Sequence, residues 1–121
     1  MIEMDEFLAV HKALSDSSRV RALGLLTRGE LCLCELIQVL GLAPSTVSRH
    51  MTELHRAGLV HRRKKGRWQF YRLPRRGASA DVREALRSVR RLQREDEDLR
   101  VDLERLAQVK RMDPSQVSAC Y

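Results

Sequence analysis

Apolar residues recur at three- and four-residue intervals through most of the chain, the period of helices with one buried face. Phe7, Leu8, Val10, His11 and Leu14 predict a first helix over Asp5–Leu14. A loop rich in helix-capping side chains follows, Ser15-Asp16-Ser17-Ser18. Val20, Leu23 and Leu26 then predict a second helix over Arg19–Thr27, ended near Gly29. Leu33, Leu36, Ile37 and Leu40 give a third, Leu31–Leu40, stopped by Gly41. After Leu42-Ala43, Pro44 suits the first turn of a fourth helix, whose stripe Val47, Met51 and Leu54 runs on to Ala57.

The period then changes. Leu59–Lys64 and Arg67–Leu73 flank Lys65-Gly66 and read as two strands of a hairpin, closed by Pro74 and Gly77. From Ala78 the helical period returns as heptads: Val82, Val89 and Leu103 share one register, and Ala85, Leu92, Leu99 and Leu106 another. Asp96 falls in the first register. A carboxylate inside an apolar seam is costly, so the helix is expected to break or splay near Glu95–Asp98. One rod and two antiparallel helices, Asp81–Arg94 and Asp98–Lys110, both fit. The expected fold is mainly α with a small β-hairpin, a winged helix-turn-helix. The helix-turn-helix would occupy about 31–57, the wing about 59–73 and the C-terminal helices about 78–111, in one domain over 1–111 with a loose tail at 112–121.

Composition narrows the class. A chain of 121 residues, 43% apolar and 32% charged, fits one folded domain and is neither disordered nor membrane-embedded in character. No apolar run approaches the ~20 residues a bilayer demands. The opening stretch carries Glu3, Asp5 and Glu6 and lacks the basic region of a signal peptide, so a cytoplasmic location is expected, with no membrane partner. Lys and Arg number 23 against 16 Asp and Glu, and the excess is local. Leu59–Arg76 contains Arg62, Arg63, Lys64, Lys65, Arg67, Arg72, Arg75 and Arg76 and no acid, whereas Glu95–Glu104 is strongly acidic. A basic block of this kind attracts polyanions, above all nucleic acid.

The fourth helix fits that partner. Its polar face, Ser45, Thr46, Ser48, Arg49 and Thr52, is short-chained and free of acid until Glu53. Small hydroxyls allow close approach to a major groove, Arg49 can pair bidentately with guanine, and His50 can reach phosphate. Arg63, Lys64, Lys65 and Arg67 would carry the wing along the DNA backbone or minor groove. Double-stranded operator DNA is the expected partner. No serine–histidine–carboxylate grouping or glycine-rich phosphate loop is present, and no enzyme is expected.

The second unusual feature is Glu30-Leu31-Cys32-Leu33-Cys34-Glu35-Leu36. Three cysteines in the chain do not make a disulfide framework. Two of them this close suggest a soft ion. On a helix, positions i and i+2 diverge by about 200°, so Cys32 and Cys34 could share one ion only if the start of the third helix unwound. On that reading, ligand binding would distort the first helix of the helix-turn-helix and compete with DNA. Oxidation of the pair to a disulfide, and a thiol enzyme or metal-buffering protein, are the rival readings.

The cysteine segment is similar to the ELCVCDL box of arsenic-responsive repressors in the ArsR/SmtB family. Thr46-Val47-Ser48-Arg49-His50, Leu54 through Val60, and the stretch Arg63–Trp68 with Tyr71-Arg72-Leu73 resemble the family's recognition helix and wing. The resemblance covers roughly Leu14–Pro74. It implies a homodimeric repressor of an arsenic-resistance operon, released when As(III) or Sb(III) binds its thiolates. It also implies a dimer interface on the terminal helices, here Phe7, Leu8, Val82, Ala85, Leu86, Val89, Leu92, Leu99, Leu103 and Leu106. The family's box carries a third cysteine three residues after the second, where this chain has Ile37. Cys120 is therefore the candidate third ligand. A two-thiolate site would still suit a monomethylated trivalent arsenical, methylarsenite, or another soft ion. The Asp and His sites of the family's zinc sensors are not expected, since no histidine follows His61.

Overall fold

The computed structural model describes residues 2–112. Its elements are α1 (Ile2–Ala13), α2 (Ser17–Leu26), β1 (Leu31–Cys32), α3 (Leu33–Leu40), α4 (Pro44–Arg56), β2 (His61–Lys65), β3 (Trp68–Arg72), α5 (Ala80–Gln93) and α6 (Glu97–Lys110). This is the mainly α architecture with a basic hairpin that the periodicities predict. No helix among the described residues is long and apolar enough to cross a membrane.

Local chemistry sets most boundaries. Asp16 caps α2, its carboxylate accepting from the backbone N–H groups of Ser18 and Arg19 at 2.8 and 3.2 Å. Gly41 ends α3 in the left-handed region at φ 69°, where a side chain would be strained, and three residues later Pro44 opens α4. Gly66 does the same for the hairpin tip at φ 61°. Ser79 caps α5, accepting from the Val82 N–H at 3.2 Å.

One element departs from the sequence reading. Leu31–Cys32 is a strand rather than the start of a helix, and it adds a third member to the sheet. The order is β1-β3-β2, all antiparallel, with Leu31 opposite Tyr71 and Cys32 opposite Phe70. A short apolar run does not distinguish a buried strand from a buried helix turn. Of the two forms the heptads allowed, the structure has two helices, with the break in the expected stretch. Asp96 is the N-cap of α6 and accepts from the Leu99 N–H at 3.1 Å, so the polar intrusion in the seam is where the chain folds back.

The fold-back changes what the seam does. Val82, Ala85, Leu86, Val89, Leu99 and Leu106, expected at a dimer interface, are buried inside the protomer, and Leu103 is half-buried. α6 packs on α2 and α3, and α5 packs on α1 and α2. Leu99 lies 3.5 Å from where a Cβ on Gly24 would stand, and the Gln93 amide donates to the Gly24 carbonyl at 2.9 Å. The expected interface residues that remain exposed are Phe7, Leu8 and Leu92, with exposed Met4 one helical turn before the first two. The core is aliphatic: Leu23, Leu25, Leu31, Leu36, Met51, Leu54 and Leu59 are wholly buried, with Tyr71 as its largest side chain.

Candidate nucleic-acid interface and thiol site

α3, the Gly41–Ala43 turn and α4 form the helix-turn-helix. α4 buries Val47, Met51 and Leu54 and turns its hydroxyl-rich face outward. Ser45 and Arg49 are exposed, whereas Thr46, Ser48 and Thr52 are half-buried, the Thr52 hydroxyl donating to the Ser48 carbonyl at 3.0 Å. His50 is committed elsewhere. Its imidazole lies 3.3 Å from an Arg19 guanidinium nitrogen and 3.9 Å from the Asp16 carboxylate, joining α4 to the start of α2. Burial raises the Asp16 carboxyl pKa, but the N–H bonds from Arg19 and Ser18, with the Arg19 guanidinium and the His50 ring nearby, outweigh it and lower the pKa.

β2 is exposed along its whole length, so Lys64 and Lys65 stand out toward solvent. Arg63 is partly consumed within the protein. Its guanidinium makes a two-bond pair with Glu30, at 2.9 and 2.7 Å, and lies 4.6 Å from the centre of the Phe70 ring. Arg67 lies over Trp68, 5.6 Å from the ring centre.

The cysteines converge, and without unwinding a helix. Cys32 is the N-cap of α3 in extended backbone, φ −80° and ψ 157°, while Cys34 is one residue inside the helix. The Cα atoms are 5.4 Å apart and the two sulfurs are paired as a disulfide. The incompatibility expected from an all-helical segment is therefore corrected: at a strand-to-helix junction the 200° divergence does not apply. The residue that sequence reasoning passed over is Glu35. Its N–H donates to the Cys32 sulfur at 3.4 Å, and its carboxylate accepts from the Cys32 N–H at 2.9 Å. This is a capping box in which cysteine stands where serine or threonine is usual. The pattern Cys-x-x-Glu ahead of an apolar run was its available signal.

Both cysteines are buried, 8% and 6% exposed. Cys34 nevertheless borders a cavity of about 240 Å³, walled by Leu33 and Ile37 of α3 and by Lys64, Arg67, Trp68 and Gln69 of the wing. The thiol site and the wing tip thus share one space. No three His, Cys, Asp or Glu side chains gather as a metal-binding group among the described residues. Cys120 lies outside the described residues.

Comparison with known proteins follows the same outline. Residues 16–62 match the profile of the bacterial regulatory proteins of the arsR family. A stretch of 65 residues, 53% of this chain, is 46% identical to the arsenic resistance transcriptional regulator ArsR1 of Pseudomonas putida. That stretch is 51% of the relative, so the chain spans about half the length of the protein it matches. An uncharacterized HTH-type transcriptional regulator of Methanocaldococcus jannaschii is 36% identical over 72 residues, 59% of this chain and 81% of that protein. Among solved structures, a homodimeric winged helix-turn-helix DNA-binding domain from Mycobacterium bovis superposes with a TM-score of 0.64 at 29% identity, covering 79% of this chain and 85% of that one.

Proposed function

The chain belongs to the arsR family of bacterial regulatory proteins, a family of DNA-binding transcriptional regulators rather than enzymes, and on that footing we propose that it is a homodimeric repressor released by a trivalent arsenical. α4 enters the major groove of a two-fold symmetric operator through Ser45, Thr46, Ser48, Arg49 and Thr52. Lys64, Lys65 and Arg67 follow the backbone. Phe7, Leu8 and Leu92 form the apolar centre of the dimer contact, since they are exposed while the rest of the seam is buried or, at Leu103, half-buried.

With the Cys32–Cys34 pair reduced to two thiols by a cellular dithiol, itself oxidised to a disulfide, the inducer condenses with them. As(OH)₃ and two cysteine thiols yield a dithioarsenite, (RS)₂AsOH, and two waters; antimonite behaves alike, and methylarsenite fills its two exchangeable positions with the same pair. Cys120 or a thiol from solution supplies the third sulfur for arsenite. The single observation that carries the reading is the convergence of Cys32 and Cys34 at the head of α3, against a cavity shared with the wing. The arsenic-resistance name of the Pseudomonas putida relative supports the choice of ligand. Release does not require the helix to unwind. A metalloid on Cys32 disturbs its cap on Glu35 and its place opposite Phe70, and the displacement passes to the wing through β3 and to α4 through the Gly41–Ala43 turn.

The sulfur pairing favours a second reading, in which a two-electron oxidant such as hydrogen peroxide takes the two thiols to a disulfide and is itself reduced to two waters. A gel shift on the protein's own promoter decides. The arsenical reading expects a band abolished by arsenite and retained in Cys34→Ser with arsenite present. A band indifferent to arsenite but lost with peroxide transfers the function to the redox reading.

A further inference from the structure

A second cavity, larger than the one at Cys34, lies on another part of the molecule. It measures about 520 Å³ and sits where the end of α2, the base of the wing and α5 meet. Its walls carry Arg72 and Arg75 from the wing base and Arg83, Arg87 and Arg90 from α5, with Glu30 as the one acid. Five arginines therefore line a space with a single acidic residue, whose carboxylate is already held by Arg63. Arg83, Arg87 and Arg90 repeat at four and three residues, the spacing that puts side chains on one face of a helix. Leu92, the exposed apolar residue of α5, points about half a turn away from them, so a dimer contact through Leu92 leaves the arginine face open.

These arginines are not spent on the fold. Arg72 and Arg83 each donate to a backbone carbonyl, of Leu73 and Ala78, while Arg75, Arg87 and Arg90 have no hydrogen bond or ion pair among the described residues. The local field is visible on Glu30: the Arg63 guanidinium hydrogen-bonded to it, with Arg72 and Arg75 adding their charge, lowers its carboxyl pKa despite some desolvation. Like charges gathered around one concavity repel unless an anion fills it. Guanidinium is the group whose planar fork matches phosphate oxygens in pairs. The volume falls in the range of pockets that enclose small ligands.

We infer that this cavity is a binding site for clustered phosphate groups, separate from the thiol site. Two sources present that chemistry, a small polyphosphate compound and a stretch of nucleic-acid backbone beside the wing.

Inorganic tripolyphosphate is the probe, titrated calorimetrically into the full chain at ~0.15 M salt, where weak surface attraction is largely screened. The expected result is one site per chain, weakened about tenfold or more in Arg87→Glu and in Arg90→Glu and unchanged in Arg91→Glu, a cation of the same helix that does not line the cavity. Equal melting temperatures of the variants exclude misfolding. Gel shifts of the same variants identify the source. Loss of DNA affinity in Arg87→Glu, with tripolyphosphate competing, assigns the site to the nucleic-acid backbone; unchanged DNA affinity assigns it to a free polyphosphate. Absence of tripolyphosphate binding, or equal weakening by all three substitutions, overturns the proposal. Because the titration contains no DNA, its failure is distinct from failure of the repressor reading.

Discussion

Arg21 in α2 and Asp102 in α6 meet as a bidentate ion pair between residues 81 positions apart, Nε to Oδ2 at 2.8 Å and Nη2 to Oδ1 at 2.9 Å. The carboxylate side chain is 4% exposed and the guanidinium 25%. Asp102 is the only buried charged residue described, and its pair fixes the returning helix against the scaffold that carries α3 and α4.

Removing one partner strands the other. Asp102→Ala is expected to cost about 2 kcal/mol, below the ~3–5 kcal/mol of a fully buried pair because Arg21 keeps some water. Urea denaturation measures it. Arg21→Met with Asp102→Leu should recover most of the loss, since well-packed apolar replacements of a buried pair are often neutral. A single substitution without effect removes the pair from the account of α6 docking.

Cys32→Ser separates cap from sensor. A serine hydroxyl is a better N-cap than a thiol, so the variant should keep α3, its thermal stability and its DNA band while losing the arsenite response. Glu35→Ala does the reverse: the reciprocal cap goes, stability falls by about 1 kcal/mol, and both sulfurs remain. Melting curves together with gel shifts read both. A Cys32→Ser protein that still responds fully to arsenite excludes Cys32 as a ligand.

The wing cations should divide. Lys64→Ala and Lys65→Ala are each expected to weaken DNA binding across sequences and to reduce the salt slope by about one. Arg63→Ala should leave the slope nearly unchanged, because its charge is already paired with Glu30. Affinity measured against salt concentration tests all three, and a full unit lost in Arg63→Ala would place that guanidinium on the DNA.

The Glu30 pair also sets a pH dependence. The folded pKa of Glu30 lies below its ordinary 4.5, chiefly through its bond to Arg63. The folded state therefore holds its charge where the unfolded chain takes up a proton, and the contribution present above 4.5 is lost as pH falls through the lowered value. The acid limb of the stability profile should flatten in Glu30→Gln. Since both partners are partly exposed, the effect is small and shrinks in high salt.

Much of this was legible in the residues. The period-3.6 stripes located α1 through α4, and the change of period at Leu59 located the wing. What the pattern could not convey was direction in space. Asp96 signalled a break, but whether the heptads beyond it would meet another chain or their own depended on α2 and α3 offering a surface, with Gly24 leaving room for Leu99. Asp102 looked like one more acid in an acidic stretch, since its partner stands far off in sequence. At the thiol site the residues were evident and the conformation was not. Leu31–Cys32 pairs as a strand because β3 is beside it, which no local preference encodes.

The middle strand of the sheet has consequences for how such a protein can diverge. Trp68–Arg72 is zipped on one side to the cysteine segment and on the other to the basic ribbon. An inserted or deleted residue within it would turn its own side chains beyond that point to the opposite face and break its register with both neighbours at once. The ribbon can be lengthened without that disruption only at its Gly66 tip, so the cysteine segment and the basic hairpin are held to a single register.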